Sequence, residues 1–259
     1  MRILVIAALL LGAGTADAQS IKRPPADAGF AISLSQPVLE PVSGIGVYEI
    51  DLFDSEQANI DALHAAGGYV ICYFSAGSLE DWRPDVAQFP PPVIGRDYKG
   101  WPGERWLDIR RRHALAPILE ARLDRAVEKS CDAVDPDNVD GFSNATGFDI
   151  SKDDQRSFNL WLVEAAHARG LAIGLKNAAE LVPDLADRFD FAVIENCAAQ
   201  QACDGYAAFV DGKKAVFQIE YRNEIRDWDL VCRDAARRGF TAILAGLELD
   251  GTAQACPRQ

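Results

Sequence analysis

The sequence predicts an α/β fold, a single (β/α)8 TIM barrel. Short apolar runs alternate with segments of helical pattern along the chain, and eight runs read as strands. Many runs lack the alternation of a half-exposed strand, which is typical of parallel strands buried on both faces. Polar residues also follow the end of almost every run, as at the mouth of such a barrel. A doubly wound open sheet is the alternative, but no glycine-rich nucleotide loop follows the first predicted strand.

The N-terminus of the chain predicts export. Arg2 precedes an apolar run at 3–11, and Ala16-Asp17-Ala18 supplies a small-x-small cleavage site. This pattern is typical of a secretory signal peptide over residues 1–18. A membrane anchor is disfavoured because the run is too short to cross a bilayer. We therefore expect a secreted or periplasmic protein that does not associate with membranes.

The mature chain is expected to form one domain preceded by a short extension. Residues 19–41 contain four prolines and are predicted to be extended, and residues 42–259 to form the barrel. The eight predicted strands are 46–50, 69–74, 106–109, 133–135, 171–175, 191–194, 215–219 and 241–244. The predicted helices are 55–66, 115–129, 152–169, 178–188, 206–210 and 224–238.

Local signals support the predicted helices. Ser55 is a candidate N-cap, apolar residues recur at helical spacing in 115–129, and Gly170 and Gly239 stand where two helices should end. The eighth helix is not evident. We expect it to be missing, or replaced by the N-terminal segment or by the tail around Cys256.

The charge and the cysteines exclude some function classes. A net charge of −13 disfavours nucleic-acid binding through a basic face. The same charge suits either simple solubility or the attraction of a cationic substrate. Six cysteines in an exported chain indicate disulfides: Cys197 and Cys203 could close a small loop, Cys232 could hold Cys256, and Cys72 and Cys131 could be paired or free. Without a CxxC pair and with only three histidines, neither a zinc site nor another metal site is expected.

Polar residues converge on the predicted barrel mouth, with an acidic cluster after the fourth strand. Carboxylates are not crowded at a strand end for stability, because like charges repel and their desolvation is costly. Two carboxyl groups that flank a sugar bond are what glycoside hydrolysis requires, so the acidic rim predicts that reaction. The strand ends supply Glu49, Asp51, Tyr73, Ser75, Asp108, Asp135, Asp137, Asn138, Asp140, Lys176, Asn177, Glu195, Asn196, Glu220 and Tyr221.

Several motifs together resemble glycoside hydrolase family 114, the endo-α-1,4-polygalactosaminidase-like proteins. The likeness runs from about Val47 to Ala245 and implies a TIM barrel that cleaves α-1,4-linked galactosamine polymers without a cofactor. One departure is Asn196, where the family is expected to have Gln. The motifs are the run from Tyr73 to Asp85, Asp135-Pro136-Asp137-Asn138-Val139-Asp140-Gly141-Phe142, Gly174-Leu175-Lys176-Asn177, Glu195-Asn196-Cys197 and Gln218-Ile219-Glu220-Tyr221.

The resemblance implies a catalytic pair made of a strand-four aspartate and Glu195. We predict Asp137 as the nucleophile and Glu195 as the general acid/base, with Asp135 the competing aspartate because strand alternation puts both on one face.

Further residues are expected to bind substrate. Asp51, Asp140 and Glu220 could bind the sugar ammonium groups; alternatively Asp140 caps a loop and Glu220 pairs with Arg222. The other predicted substrate-binding residues are Tyr73, Trp82, Asn138, Lys176, Asn177 and Tyr221.

The sequence leaves other functions open. The protein could be a carbohydrate-binding barrel without turnover, or a glycosidase for another amino-sugar polymer. Its expected partner is a polysaccharide, and we expect a monomer.

Overall fold

A computed structural model describes residues 21–36 and 41–257, so the predicted signal peptide at 1–18 lies outside the described residues. In chain order the strands are β1 (Gly29–Ser33), β2 (Ile45–Asp51), β3 (Tyr69–Ser75), β4 (Ser78–Glu80), β5 (Ile94–Asp97), β6 (Glu104–Leu107), β7 (Ala133–Asp137), β8 (Ala172–Lys176), β9 (Phe191–Glu195), β10 (Val216–Tyr221), β11 (Thr241–Ala245) and β12 (Ala253–Ala255). The α-helices are α1 (Gln57–Ala65), α2 (Arg112–Glu128), α3 (Lys152–His167), α4 (Val182–Leu185), α5 (Ala207–Asp211) and α6 (Trp228–Arg238). Short 3-10 helices cover Val86–Gln88, Pro91–Val93, Ile109–Arg111, Gly141–Ser143, Ala179–Leu181 and Cys203–Tyr206.

The predicted TIM barrel is confirmed as a nearly closed cylinder. Parallel neighbours run in the order β1, β2, β3, β7, β8, β9, β10 and β11, and β12 lies antiparallel on β11. The seam between β1 and β11 is held at both ends. Thr241 Oγ1 donates to the carbonyl of Ala28 at 3.2 Å, and Leu34 N donates to the carbonyl of Leu249 at 2.7 Å.

Eight parallel barrel strands were predicted and eight are present, but one of the predicted runs is not part of the barrel. The run predicted at 106–109 belongs to β6, which pairs antiparallel with β4 and β5 in a separate three-stranded sheet between β3 and α2. Asp108 therefore does not reach the barrel mouth and pairs with Arg110 at 2.7 Å. The barrel strand in its place is β1, which lies in the segment 19–41 predicted only to be extended. The barrel thus begins at Gly29, not at residue 42, because a five-residue strand among prolines resembles a linker.

The helical layer is incomplete at the seam. Within the described residues no helix follows β1 or β11, and β12 takes the place of the eighth helix. Other helix boundaries also differ from prediction: α1 begins at Gln57 without a side-chain cap, so Ser55 does not cap it. The end of α6 at Gly239 is confirmed, since this residue has a left-handed φ of 75°. No helix in the described part of the chain is long and apolar enough to span a membrane.

Two apolar layers share the barrel strands. Alternate side chains point inward and fill the cylinder, among them Phe30 of β1, which stacks on Phe217 with ring centroids 4.5 Å apart. The intervening side chains pack against the helices. Gly174 leaves the room that the Phe191 ring occupies, because a Cβ there would lie 2.5 Å from the ring. The strands above this filled interior carry polar side chains instead.

Three disulfides link the six cysteines. The pairs Cys197–Cys203 and Cys232–Cys256 are confirmed, and Cys72 and Cys131, left open by the sequence, are paired as well. Cys232–Cys256 ties the tail to α6, and Cys197–Cys203 closes a loop directly after β9. Such pairing is typical of proteins that fold in an oxidising compartment.

Gly77 allows the turn after β3 to lie directly against the turn after β7. A Cβ at this position would stand 1.7 Å from the carbonyl oxygen of Asn138, a clash with rigid backbone. The contact sits between the β3–β4 turn and the acidic cluster that follows β7, so Gly77 helps to set the position of that cluster.

Gly77→Ala should lower the free energy of unfolding by about 2–3 kcal/mol or more, because overpacking against backbone cannot be relieved by side-chain motion. Gly246→Ala is the matched control, since a Cβ there meets no atom within 4 Å. Urea denaturation of both variants measures the difference. Equal stability of the two would contradict the close approach.

Candidate active site

A cavity of about 650 Å³ opens at the carboxyl ends of the barrel strands. This is where parallel barrels place their chemistry. Most of the predicted site residues line it, and two, Asp135 and Glu220, do not. Those that line it are Asp51, Tyr73, Trp82, Asp137, Asn138, Asp140, Lys176, Asn177, Glu195 and Tyr221.

Lys176 is the centre of the cavity floor. Its side chain is 2% exposed, and its ammonium lies 3.3 Å from Asp137, 3.6 Å from Glu195 and 3.8 Å from Asp135. Burial lowers the pKa of Lys176, but the surrounding carboxylates of Asp137, Glu195, Asp135 and Glu49 outweigh it and raise the pKa well above its ordinary value. Lys176 therefore stays positively charged. Its Nζ atom lies between the carboxylates of Asp137 on β7 and Glu195 on β9.

Asp137, the last residue of β7, reaches the cavity. Its side chain is 20% exposed. Oδ2 accepts a bond of 3.1 Å from the Tyr73 hydroxyl, beside the ammonium of Lys176, and Oδ1 accepts one of 2.6 Å from the backbone N–H of Asn138. A backbone N–H and an ammonium can only donate. Each oxygen of Asp137 therefore faces at least one group that can only donate.

Glu195, the last residue of β9, lies on the other side of Lys176. Oε2 accepts a bond of 3.0 Å from the Asn177 amide, and Oε1 accepts a short bond from the Tyr221 hydroxyl. Burial alone would raise the pKa of Glu195, but Lys176 and these two donors hold it below its ordinary value. The backbone N–H of Glu195 in turn donates to Asn177 Oδ1 at 2.9 Å, which fixes the orientation of that amide.

Asp135 lies beneath the floor and is fully buried. Neither of its oxygens, nor either oxygen of Glu49, has a hydrogen-bond donor among the described residues. Burial, with the charges of Asp137 and Glu195, raises the pKa of Asp135 to about 7 against the opposing effect of Lys176. Burial and Asp135 raise the pKa of Glu49 well above its ordinary value. The pair therefore retains a proton near neutral pH.

Asparagines turn the chain sharply at three strand ends. Asn138, Asn177 and Asn196 follow β7, β8 and β9 directly and have φ values of 61°, 49° and 54°. Asn tolerates this left-handed region better than most residues. Asn196 also accepts a bond of 3.3 Å from Tyr221 N, so the Asn found where Gln was expected suits its backbone.

Two predicted ammonium-binding carboxylates have protein partners instead. Asp51 is buried and forms an ion pair of 2.6 Å with Arg83, which also holds Glu80 at 2.8 Å. Glu220 points out of the barrel, where it accepts a bond of 2.8 Å from the backbone N–H of Ala198. The structure therefore does not leave Asp51 or Glu220 free for a substrate cation, and the predicted alternative of a Glu220–Arg222 pair is not formed.

Asp140 remains open to the cavity. It is half-buried and forms no ion pair within the described residues. Burial and the charge of Asp137 raise the pKa of Asp140 to about 6. It therefore carries most of its negative charge at neutral pH.

The three-stranded sheet adds residues that sequence reasoning missed. Glu104 of β6 and Tyr98 before it line the cavity, as does Tyr206 after β9. Trp82 and Trp101 are 51% and 42% exposed, as flat surfaces for a sugar ring would be. Glu104 could not be found by reading strand ends because it begins a strand of the side sheet rather than ending a barrel strand.

One group of metal-ligand side chains occurs in the described part of the chain, formed by Cys197, Cys203 and Glu220. The two sulfurs are bonded to each other. A disulfide does not supply the thiolates that bind a metal, so this group does not fit a metal ion.

Comparisons with known proteins agree with this geometry. The model of glycoside hydrolase family GH114 matches residues 12–259. Ega3 of Aspergillus fumigatus, solved in complex with galactosamine, is 38% identical, covers 91% of this chain and 97% of its own, and superposes with a TM-score of 0.85. No curated protein matched the sequence.

Two more distant solved structures share the fold alone. The glycoside hydrolase domain of PelA from Pseudomonas aeruginosa is 13% identical, covers 88% of this chain and 98% of its own, and has a TM-score of 0.68. The α-galactosidase TtGalA from Thermus thermophilus is 15% identical, covers 85% and 58%, and has a TM-score of 0.54.

Lys176→Met should destabilise the protein by about 3–5 kcal/mol at pH 7, because it leaves buried carboxylates without a counter-charge. Without the cation the folded-state pKa values of these carboxylates rise, and stability from a raised pKa is lost as pH rises. The loss should therefore be smaller at pH 4.5, where the carboxylates can be protonated. Urea denaturation at both pH values measures this.

Lys214→Met is the control for that experiment. Lys214 is also buried, but its ammonium donates to the carbonyls of Ala186 and Phe189 rather than to carboxylates. Its loss should cost a similar amount at both pH values. If Lys176→Met shows the same flat response, Lys176 does not serve as the counter-charge of the site.

Proposed function

Since this chain belongs to glycoside hydrolase family GH114, we propose that it cleaves α-1,4 linkages in a galactosamine-containing polysaccharide. The observation that carries the proposal is the pair Asp137 and Glu195, held on either side of Lys176 at the floor of an open acidic cavity. The resemblance indicated by the motifs is confirmed by the family match and by the 38% identity to Ega3.

The substrate assignment rests on charge and on the relative with bound galactosamine. A galactosamine polymer is cationic where its amines are protonated, and a protein of net charge −13 attracts such a chain over a distance. The exposed rings of Trp82 and Trp101 stand at the cavity, where they can stack on sugars. Together with Ega3, which was solved with galactosamine, these features favour an amino-sugar polymer over a neutral one.

The donors around the two carboxylates support the roles proposed for them. Oδ1 of Asp137 accepts from the backbone N–H of Asn138, and Oδ2 lies 3.3 Å from the ammonium of Lys176 besides accepting from the Tyr73 hydroxyl. The N–H and the ammonium can only donate, which suits a nucleophile that reacts as a carboxylate. Oε1 of Glu195 instead meets the Tyr221 hydroxyl, which can accept as well as donate. That bond survives when Glu195 carries a proton, which suits a general acid/base.

The two steps of hydrolysis follow from these roles. Asp137 attacks the anomeric carbon while Glu195 gives its proton to the departing glycosidic oxygen. Glu195 then takes a proton from water, and the resulting hydroxide displaces Asp137 and releases the sugar. Asp137 Oδ2 and Glu195 Oε2 can be no farther apart than their distances to Lys176, 3.3 Å and 3.6 Å, placed end to end. This short span favours direct attack by Asp137.

Asp135 is not the nucleophile in this proposal. It is fully buried, does not line the cavity and lies next to Glu49. Its place below Lys176 suits support of the floor rather than contact with a sugar.

Secretion is part of the proposal. The predicted signal peptide over residues 1–18 and the three disulfides both suit a protein that acts outside the cytoplasm on an extracellular polymer.

Asp137→Asn and Glu195→Gln should each reduce hydrolysis by about 10³-fold while the protein stays folded, because each removes one acid–base or nucleophilic step. Reducing ends released from partly deacetylated galactosaminogalactan, chitosan and a neutral α-glucan measure the activity. Asp153→Asn, on the exposed first turn of α3, is the control. Activity on chitosan instead would assign another amino-sugar polymer, and binding without release would mean a carbohydrate-binding barrel. Full activity in either variant would refute the pair.

Tyr221→Phe should move the alkaline limb of the kcat/KM profile to higher pH. The Tyr221 hydroxyl helps to hold the pKa of Glu195 below its ordinary value, so its removal raises that pKa. A general acid must be protonated, and a higher pKa keeps it protonated to a higher pH. Tyr206→Phe, which removes a cavity hydroxyl with no recorded bond to Glu195, should leave the limb in place. A shift of the acidic limb alone would make Glu195 the nucleophile.

A further inference from the structure

Glu104 is a buried carboxyl group that faces the cavity without a cationic partner. Its residue is 7% exposed and it lines the cavity beside Asp137. The recorded bond to its side chain is one of 3.4 Å, from Ser78 Oγ to Oε2. It forms no ion pair within the described part of the chain. Burying an acid in this way is costly unless a cation or hydrogen-bond donors pair with it.

Four other acids of the cavity have a cationic partner. Asp51 and Glu80 are paired with Arg83, and Asp137 and Glu195 with Lys176. Glu104 lies directly opposite Glu80 in the pairing of β4 with β6. Like charges in that position are destabilising, and Arg83 bonds to Glu80 but not to Glu104. Packing and stability therefore give no reason for an acid at position 104.

We propose that Glu104 is a specificity-determining residue that binds the ammonium group of a galactosamine unit next to the bond being cleaved. This rests on the proposed function and adds the residue that distinguishes a free amine from an N-acetyl group. An ammonium carries three hydrogen-bond donors and a positive charge. It therefore supplies the counter-charge and the donors that the Glu104 carboxylate lacks. An N-acetyl group carries no positive charge, so it gives the Glu104 carboxylate no counter-charge.

The electrostatics around Glu104 agree with this proposal. Burial and the charges of Asp137 and Glu80 raise the pKa of Glu104 to about 8, so the group is a neutral acid at neutral pH. An arriving ammonium favours the carboxylate, and binding should then release the proton. The titratable and charged groups that face Glu104 are Asp137 of β7, Glu80 of β4, Arg83 after it, Tyr73 of β3 and Tyr98 before β6.

Kinetics on matched polymers test the proposal. Glu104→Gln should lower kcat/KM on fully deacetylated α-1,4-galactosamine polymer by about 10- to 100-fold, the loss expected for a hydrogen bond to a charged group. Activity on the same polymer after chemical N-acetylation should not fall. Glu180→Gln, which removes an exposed carboxylate at the cavity edge, should change kcat/KM much less. Equal losses in the two variants would reduce the effect to general charge and overturn the proposal.

Binding provides a second test that requires neither turnover nor a folded Glu104 variant. Titration calorimetry of the Glu195→Gln protein with a galactosamine oligosaccharide, at pH 6.5 in two buffers of different ionisation enthalpy, counts released protons. About one proton should leave, since a group with a pKa near 8 is protonated at that pH, and none with the N-acetylated oligosaccharide. In Glu195→Gln carrying Asp140→Asn the release should persist.

The outcomes separate the two proposals. If the wild-type protein cleaves no galactosamine polymer, the proposed function fails, and proton release on binding still decides whether Glu104 recognises the amine. If the polymer is cleaved but no proton is released and acetylation does not weaken binding, Glu104 does not recognise the amine. The hydrolase assignment then still stands.

Discussion

The site depends on one buried cation. Lys176 places an ammonium where Asp135, Asp137 and Glu195 converge, and its own side chain is shielded from solvent. The desolvation of each ion costs several kcal/mol, and attraction offsets this only when the charges are close. One cation cannot neutralise all of these carboxylates, and the outcome for each acid depends on how deeply it is buried. The deepest pair, Glu49 and Asp135, shares a proton, whereas Asp137 and Glu195 accept hydrogen bonds at the cavity surface.

The backbone around this cation is arranged for position rather than for local stability. Left-handed residues at the ends of β7, β8 and β9 turn the chain away at once, so that Asp137, Lys176 and Glu195 stand at the very ends of their strands. Gly77 lets the neighbouring turn approach, and the Cys197–Cys203 disulfide closes the loop behind Glu195. Strain of this kind persists where the surrounding structure enforces it. Charges fixed in advance need little reorganisation when the reaction begins.

Sequence patterns predicted the barrel and most of its mouth because both follow from local rules. Continuous apolar runs mark buried parallel strands, and a carboxyl end on such a strand points to the mouth whatever its partners are. Partners depend on tertiary structure, so no local pattern could show that Arg83 neutralises Asp51, or that Glu220 faces the helices rather than the cavity. β1 was missed because Gly29–Ser33 is short and stands among prolines. Because the run at 106–109 was predicted to be a barrel strand in place of β1, Glu104 was also missed. It reaches the cavity from a separate sheet, and the periodicity of barrel strands does not predict where such residues lie.

The two parts of the molecule therefore serve different needs. The proposed reacting groups come from barrel strands. The spacing of these strands is set by hydrogen bonding and by the filled interior, so the groups have little freedom to vary. The sheet of β4, β5 and β6 is inserted between β3 and α2, and it contributes Glu104 and the ring of Trp101 to the same cavity. A segment attached to the barrel in this way can change without disturbing strand register, as loops on rigid scaffolds generally do. In the proposed reaction, selection of one amino sugar over another is encoded in the inserted sheet, while the bond is broken by the carboxyl groups beside Lys176.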